Sequence, residues 1–213
     1  EIPAKKVSIK QVEAKLLNFT NDLENAKDFK SAFKAVRDLE NYMDKFENNA
    51  TVISIRYTLN SNDEEIAKLQ DQMDVISPLV SNLINKFNKV LVKHPCRKEL
   101  EEKLTPYYFQ MIDNSLKSFD EKIIPELIEI NKLSSQYDKI LGSAEIPFRG
   151  QTYNISQLGK FTKSKDRAER REASIATDKW FGEHEKEIGD IYGKLVELRD
   201  TAAKKLGFKN FIE

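Results

Sequence analysis

The first glycine in this 213-residue chain is Gly142. Glycine most readily supplies turns, caps and left-handed backbone, so 141 residues without it leave few places to reverse except the ends of helices. Apolar residues recur there at helical spacing. Val12, Leu16, Phe19 and Leu23 form one stripe, and Phe29, Phe33, Val36, Leu39, Met43 and Phe46 another, which predicts a helical hairpin. Thr51–Leu59 reads as a short helix or a continuation of the second, and Asn60-Ser61-Asn62-Asp63 breaks it and caps a third. From Asp63 to about Lys93, Ile66, Leu69, Met73, Ile76, Leu79, Leu83, Phe87, Val90 and Leu91 make one long stripe. Pro78 is expected to kink that helix, because it removes a backbone donor and crowds the preceding turn. Further helical pieces are predicted over 96–103, 106–118 and 120–141.

After Gly142 the pattern changes. Ile146, Phe148, Tyr153 and Ile155 flank Arg149-Gly150-Gln151 as in a small β-hairpin, with Phe148 expected to pack beneath it against a long C-terminal helix. Asn154 and Gln157 fit a capping box for a short helix carrying Leu158 and Phe161. Ser164 is the predicted cap of that long final helix, with Asp166 in its first turn and an apolar face through Ile175, Phe181, Ile188, Ile191, Leu195, Leu198, Ala202 and Leu206. Gly207 reads as its C-cap, Asn210 as the N-cap of a further helix, and Glu213 as the other half of a capping box. A first turn with nothing to propagate it suggests the front part of a longer protein. The fold class expected is all-α and multi-helix, with one small β-hairpin near residues 144–155.

Charge narrows the function classes. The 35 basic and 35 acidic residues cancel, so there is no global pull toward nucleic acid or anionic lipid, and neither is expected as a partner. Cys96 is the only cysteine, which excludes an internal disulfide and fits a cytoplasmic location. No apolar run reaches membrane-spanning length, and residues 1–10 lack the apolar region of a signal peptide.

His184-Glu185-Lys186-Glu187-Ile188 is four fifths of H-E-x-x-H, in which two histidines on one helix face hold zinc and the glutamate polarises its water. Ile188 stands where the second ligand belongs, and the only other histidine, His94, is remote in sequence. His184 therefore reads as a half-buried packing residue between Phe181 and Ile188. Asp166, Arg167 and Arg170 are the densest charged cluster and a candidate clamp for a peptide carboxylate. The simpler reading has Asp166 capping and the arginines pairing with neighbouring acids. Cys96, after Pro95, reads as an inert thiol. Lys160, Lys163, Lys165, Arg167, Arg170 and Arg171 form a basic run interrupted by Glu169 and Glu172, which a solvated helix face explains.

The run from Tyr137-Asp138-Lys139-Ile140-Leu141-Gly142-Ser143 through Ala144-Glu145-Ile146-Pro147-Phe148-Arg149-Gly150 resembles a known family. So do Asn154-Ile155-Ser156-Gln157-Leu158, Ser164-Lys165-Asp166-Arg167-Ala168-Glu169-Arg170, Ile191-Tyr192-Gly193-Lys194-Leu195 and Ala202–Phe211. In that order they are similar to the N-terminal part of oligoendopeptidase F, a zinc metallopeptidase related to thimet oligopeptidase and neurolysin. Ser54-Ile55-Arg56 with Asn62-Asp63, Ser77-Pro78 and Arg97–Leu104 extend the match, which departs at Glu64-Glu65-Ile66, where aromatic residues are expected.

The resemblance implies the N-terminal part of a deep-channel metallopeptidase that hydrolyses internal bonds of oligopeptides. Its zinc motif lies downstream of Glu213, so the resemblance assigns no catalytic, cofactor-binding or metal-binding residue to this chain. The zinc belongs to the parent protein, and the segment alone is expected to be inactive. Residues 1–105 are expected to form helical hairpins, 106–200 the family's helical region with the hairpin, and 201–213 the start of the catalytic part. Removing the rest is expected to allow a homodimer through Leu195, Leu198 and Leu206. A non-enzymatic helical interaction module is the alternative reading.

Overall fold

Six helices occupy the chain up to its first glycine in the computed structural model, which describes residues 3–213. They are α1 (Ile9–Glu24), α2 (Phe29–Leu59), α3 (Glu64–Leu91), α4 (Arg97–Leu104), α5 (Pro106–Ser118) and α6 (Ile124–Gly142), the last preceded by a 3₁₀ turn over Glu121–Ile123. Strands β1 (Ile146–Phe148) and β2 (Gln151–Tyr153) follow, then α7 (Ile155–Thr162), α8 (Arg167–Glu183) and α9 (Glu185–Leu206). The architecture is thus all-α with one two-stranded hairpin.

Local chemistry accounts for most helix ends. Asp28 Oδ1 accepts the Ser31 N–H at 2.8 Å, while Ser31 Oγ accepts the Asp28 N–H at 3.4 Å, a reciprocal cap that starts α2. Asp63 caps α3 by accepting the Glu65 and Ile66 N–H groups at 3.0 and 3.2 Å. Thr51–Leu59 is a continuation of α2, not a separate helix. Buried His94 fastens the hairpin of α1 and α2 to the end of α3. Its Nδ1 accepts the Cys96 N–H at 3.1 Å, which places the proton on Nε2, donated to the Ala26 carbonyl at 3.2 Å.

The centre of the larger core is α3. Its residues Met73, Ile76, Val80, Leu83, Phe87 and Leu91 are buried with Leu16, Leu23, Val36, Ile53 and Phe109 from its neighbours. Helix α3 runs unbroken through Pro78. A proline at position 78 cannot donate to the carbonyl four residues back, so the Asp74 carbonyl loses its helical partner. Asn131 of α6 supplies the donor, with Nδ2 at 3.0 Å from Asp74 O. Beside it Gln70 Nε2 donates to Asp74 Oδ1 at 2.9 Å and to Ser135 Oγ at 3.3 Å, and Tyr57 Oη of α2 donates to the Ser135 carbonyl at 3.0 Å. Three helices meet in this buried polar node.

A second, smaller core lies beyond α6. The turn of the hairpin has positive φ at both central residues, Arg149 (49°) and Gly150 (79°), the geometry that matches the twist of the flanking strands. Ile146 pairs with Tyr153 and Phe148 with Gln151. Ile146 and Phe148 point to one face, where they are buried with Leu158, Ala173 and Trp180. The Phe148 ring sits 4.9 Å from that of Phe161. The expectation that Phe148 packs beneath the hairpin holds, with the strand lying against α8, and the predicted C-terminal helix is two helices that break at His184. Ser164 does not cap it either. Asp166 does, by accepting the Ala168 N–H at 2.9 Å, while Ser164 Oγ accepts the Asp166 N–H at 3.2 Å.

Phe148 is 6% exposed, so Phe148→Ala should destabilise the chain by about 3 to 5 kcal/mol through lost burial and a residual cavity. Chemical denaturation monitored by far-ultraviolet circular dichroism checks this, and an unchanged midpoint would show that the hairpin is not anchored by this ring.

Candidate interaction face

Helix α9 ends as its sequence predicts. Gly207 takes φ of 96°, and the Phe208 N–H reaches the Ala203 carbonyl at 3.0 Å, closing the last turn. One face of α9, with Ile191, Ala202 and Ala203 buried, packs on α6. Lys205 Nζ ties the two helices by its contact with Glu126 Oε1 at 2.6 Å. Past Gly207, Asn210 Oδ1 accepts the Ile212 and Glu213 N–H groups at 2.9 and 3.2 Å, as expected of an N-cap. The Glu213 carboxylate returns to the Lys209 N–H rather than to that of Asn210.

Two apolar hollows flank this helix. One, of about 510 Å³, is lined by Tyr137, Phe181, Ile188, Ile191, Tyr192 and Leu195. The other, of about 340 Å³, lies between Ile123, Leu127 and Ile130 on one side and Ala202, Leu206 and Phe211 on the other. Tyr192 is 67% exposed and Val196 47%, whereas Leu195, Leu198 and Leu206 are half-buried. The expected contact leucines therefore sit partly in the hollows, and within α9 the large apolar side chains most open to a partner are Tyr192 and Val196. Their spacing of four residues was the available signal, masked by the stronger leucine stripe.

The other residues singled out by sequence are scattered. His184 lies at the junction of α8 and α9. Its backbone N–H is shared between the Trp180 and Phe181 carbonyls, a tightening that ends α8. Its Nδ1 is 2.8 Å from Trp180 O and its ring stacks on the indole with centroids 4.1 Å apart. Ile188 packs against the second core. Both ring nitrogens of His94 face backbone groups, and among the described residues no group of three or more His, Cys, Asp or Glu side chains is placed to hold a metal ion. The described residues do not fit zinc.

Arg170 donates through Nη1 to the Ser164 and Lys165 carbonyls at 2.7 and 3.0 Å, main-chain partners in place of the acids expected of it. The nearby acids go to the hairpin, Glu169 to Arg149 Nη1 at 2.6 Å and Glu172 to Nη2 at 2.8 Å. The basic run contributes Lys160, whose ammonium lies 4.9 Å from the Tyr153 ring and 4.7 Å from that of Phe161. The Cys96 thiol is pushed above its ordinary value by burial, and then by Glu99 and Asp28, which disfavours the reactive thiolate.

Comparison with known proteins places this architecture. Residues 1–119 match the family model of the peptidase M3 N-terminal domain. No curated protein matches the chain. The whole chain superposes with a TM-score of 0.95 on a structure assigned as oligoendopeptidase F from Bacillus anthracis str. Ames, at 32% identity and over 39% of that chain. PZ peptidase A in complex with an inhibitor gives the same TM-score at 33% identity over 38% of its length. The chain thus spans about two fifths of these solved relatives. It belongs to the peptidase M3 N-terminal domain family and has the fold of an oligoendopeptidase F-like chain.

Proposed function

We propose that this chain, as a member of the peptidase M3 family, forms one wall of the channel of a zinc-dependent oligoendopeptidase acting on short peptides in the cytoplasm. The observation that carries this reading is the match of the entire chain to structures of which it covers only about two fifths. A wall needs a rigid helical scaffold and a face for the remainder of the protein, and the open side of α6 and α9 supplies such a face. Residues 1–105 would form the helical hairpins, 106–200 the region carrying the β-hairpin, and 201–213 the lead into the catalytic part. Zinc would be held outside these residues, whose histidines are engaged elsewhere. Neither nucleic acid nor membrane has a place in this reading. Among the described residues no helix is long and apolar enough to cross a bilayer.

Two experiments test it. A hybrid in which these 213 residues replace the matched portion of the Bacillus anthracis protein should cleave a fluorogenic oligopeptide. The 213-residue chain alone should cleave nothing and retain no stoichiometric zinc after dialysis. A folded hybrid without activity would contradict the wall reading, as would one tightly held zinc per isolated chain that is lost in His184→Ala.

In isolation, the same face is proposed to pair with a second copy in a closed dimer, since a self-complementary patch satisfies itself once. Sedimentation across a concentration range should show association that Tyr192→Asp weakens at least tenfold. A strict monomer at high concentration would contradict it.

A further inference from the structure

The two hollows beside α9 open along one side of α6, where Ile123, Leu127, Ile130 and Tyr137 recur at helical spacing and line them. On α9, Glu185, Ile188 and Tyr192 line the first hollow and Arg199 the second. Glu185, Tyr192 and Arg199 are spaced by seven residues, about two turns, so they fall in one row along the helix. Tyr192 stands exposed at the middle of that row, with Ile188 one turn before it and Val196 one turn after. The two ends of the row carry opposite charge. Several charged side chains nearby are paired within the chain, Lys186 with Asp190, Lys204 with Asp200 and Lys205 with Glu126. Among the described residues the Glu185 carboxylate and the Arg199 guanidinium have no such partner.

We infer that two copies of this chain dock with their α9 helices antiparallel and the two-fold axis at Tyr192. Such a crossing sets positions equally far from Tyr192 opposite one another. Arg199 of each copy then meets the partner's Glu185, and Val196 meets the partner's Ile188. Gly189 falls opposite the partner's Leu195, and a side-chain carbon added at Gly189 would meet no atom within 4 Å, so the backbone there is open to a close approach. The row is complementary to its own reverse, and a closed pair uses each charge once. Other arrangements waste the charges. A parallel pair brings Glu185 against Glu185 and Arg199 against Arg199, which like-charge repulsion disfavours. Sliding one antiparallel helix by four residues opposes Arg199 to Gly189 and Glu185 to Ala203, or in the other direction to Phe181 and Leu195. This register gives the pairing of isolated chains proposed above its geometry, and it rests on that pairing.

Charge reversal tests the register by sedimentation of the full chain at low ionic strength. Glu185→Arg and Arg199→Glu each place like charges at both ends of a two-fold interface, and each should weaken self-association by about tenfold or more. An equimolar mixture of the two variants should restore it as a heterodimer, because every introduced charge then meets its opposite. The double variant should self-associate as the native chain does. A dimer that neither reversal weakens, or a loss that the mixture does not rescue, would overturn the register and leave the pairing itself standing. A strict monomer at high concentration would overturn both.

If a reversal variant does not fold, the native chain decides. Two opposite-charge contacts per dimer are screened by salt, so self-association should weaken as sodium chloride is raised. Association that is unchanged or tighter in high salt is the behaviour of an apolar contact alone and would overturn the charge-paired register.

Discussion

A missing hydrogen bond organises this fold. Pro78 sits in the middle of the most buried helix, and the carbonyl it leaves without a helical donor is that of Asp74. Burying that oxygen is tolerable only if a donor arrives from elsewhere, and the donor is Asn131 on α6. The contact therefore does more than join two surfaces. It fixes the position of α6 along α3, since sliding either helix by a turn would separate the amide from the one carbonyl that lacks a partner. Tyr57 and Gln70 extend the same constraint to α2 and to the adjacent turn of α3.

Everything after residue 124 hangs from that placement. Helix α6 carries α9 along its length, and the Ala144–Phe148 segment leads from its end into the hairpin and second core. Surface ion pairs add little to this arrangement. Arg149 with Glu169 and Glu172 is solvent-exposed, and such contacts contribute about 1 kcal/mol or less. The ordering comes from the α3–α6 register and from aromatic packing around Phe148, Phe161 and Trp180. With that frame set, α6 and α9 present a long apolar face whose hollows the chain itself fills only in part.

The sequence makes local features legible and distant ones not. The caps at Asp63, Asn154 and Gly207 involve groups within a few residues of one another, and the Arg149-Gly150 turn carries its own conformational signature. The family was readable because its motifs cluster from Tyr137 onward. The break at His184 was hidden, because the apolar period continues through it and the stack on Trp180 exists only in three dimensions. The polar node was half visible. Pro78 announces an orphaned carbonyal four residues earlier, but nothing in the linear pattern identifies Asn131 as its donor.

The dependence of the α3–α6 register on this substitution of donors is measurable as a double-mutant cycle. In the native background Asn131→Ala should cost about 1 to 3 kcal/mol, the range for stranding a buried polar group. In Pro78→Ala the helix regains the N–H that reaches Asp74 O, so the same Asn131→Ala change should cost markedly less, giving a coupling well beyond the few tenths seen between independent sites. Strictly additive costs would show that Asn131 does not replace the missing helical donor, and would remove the interaction on which this account of the fold rests.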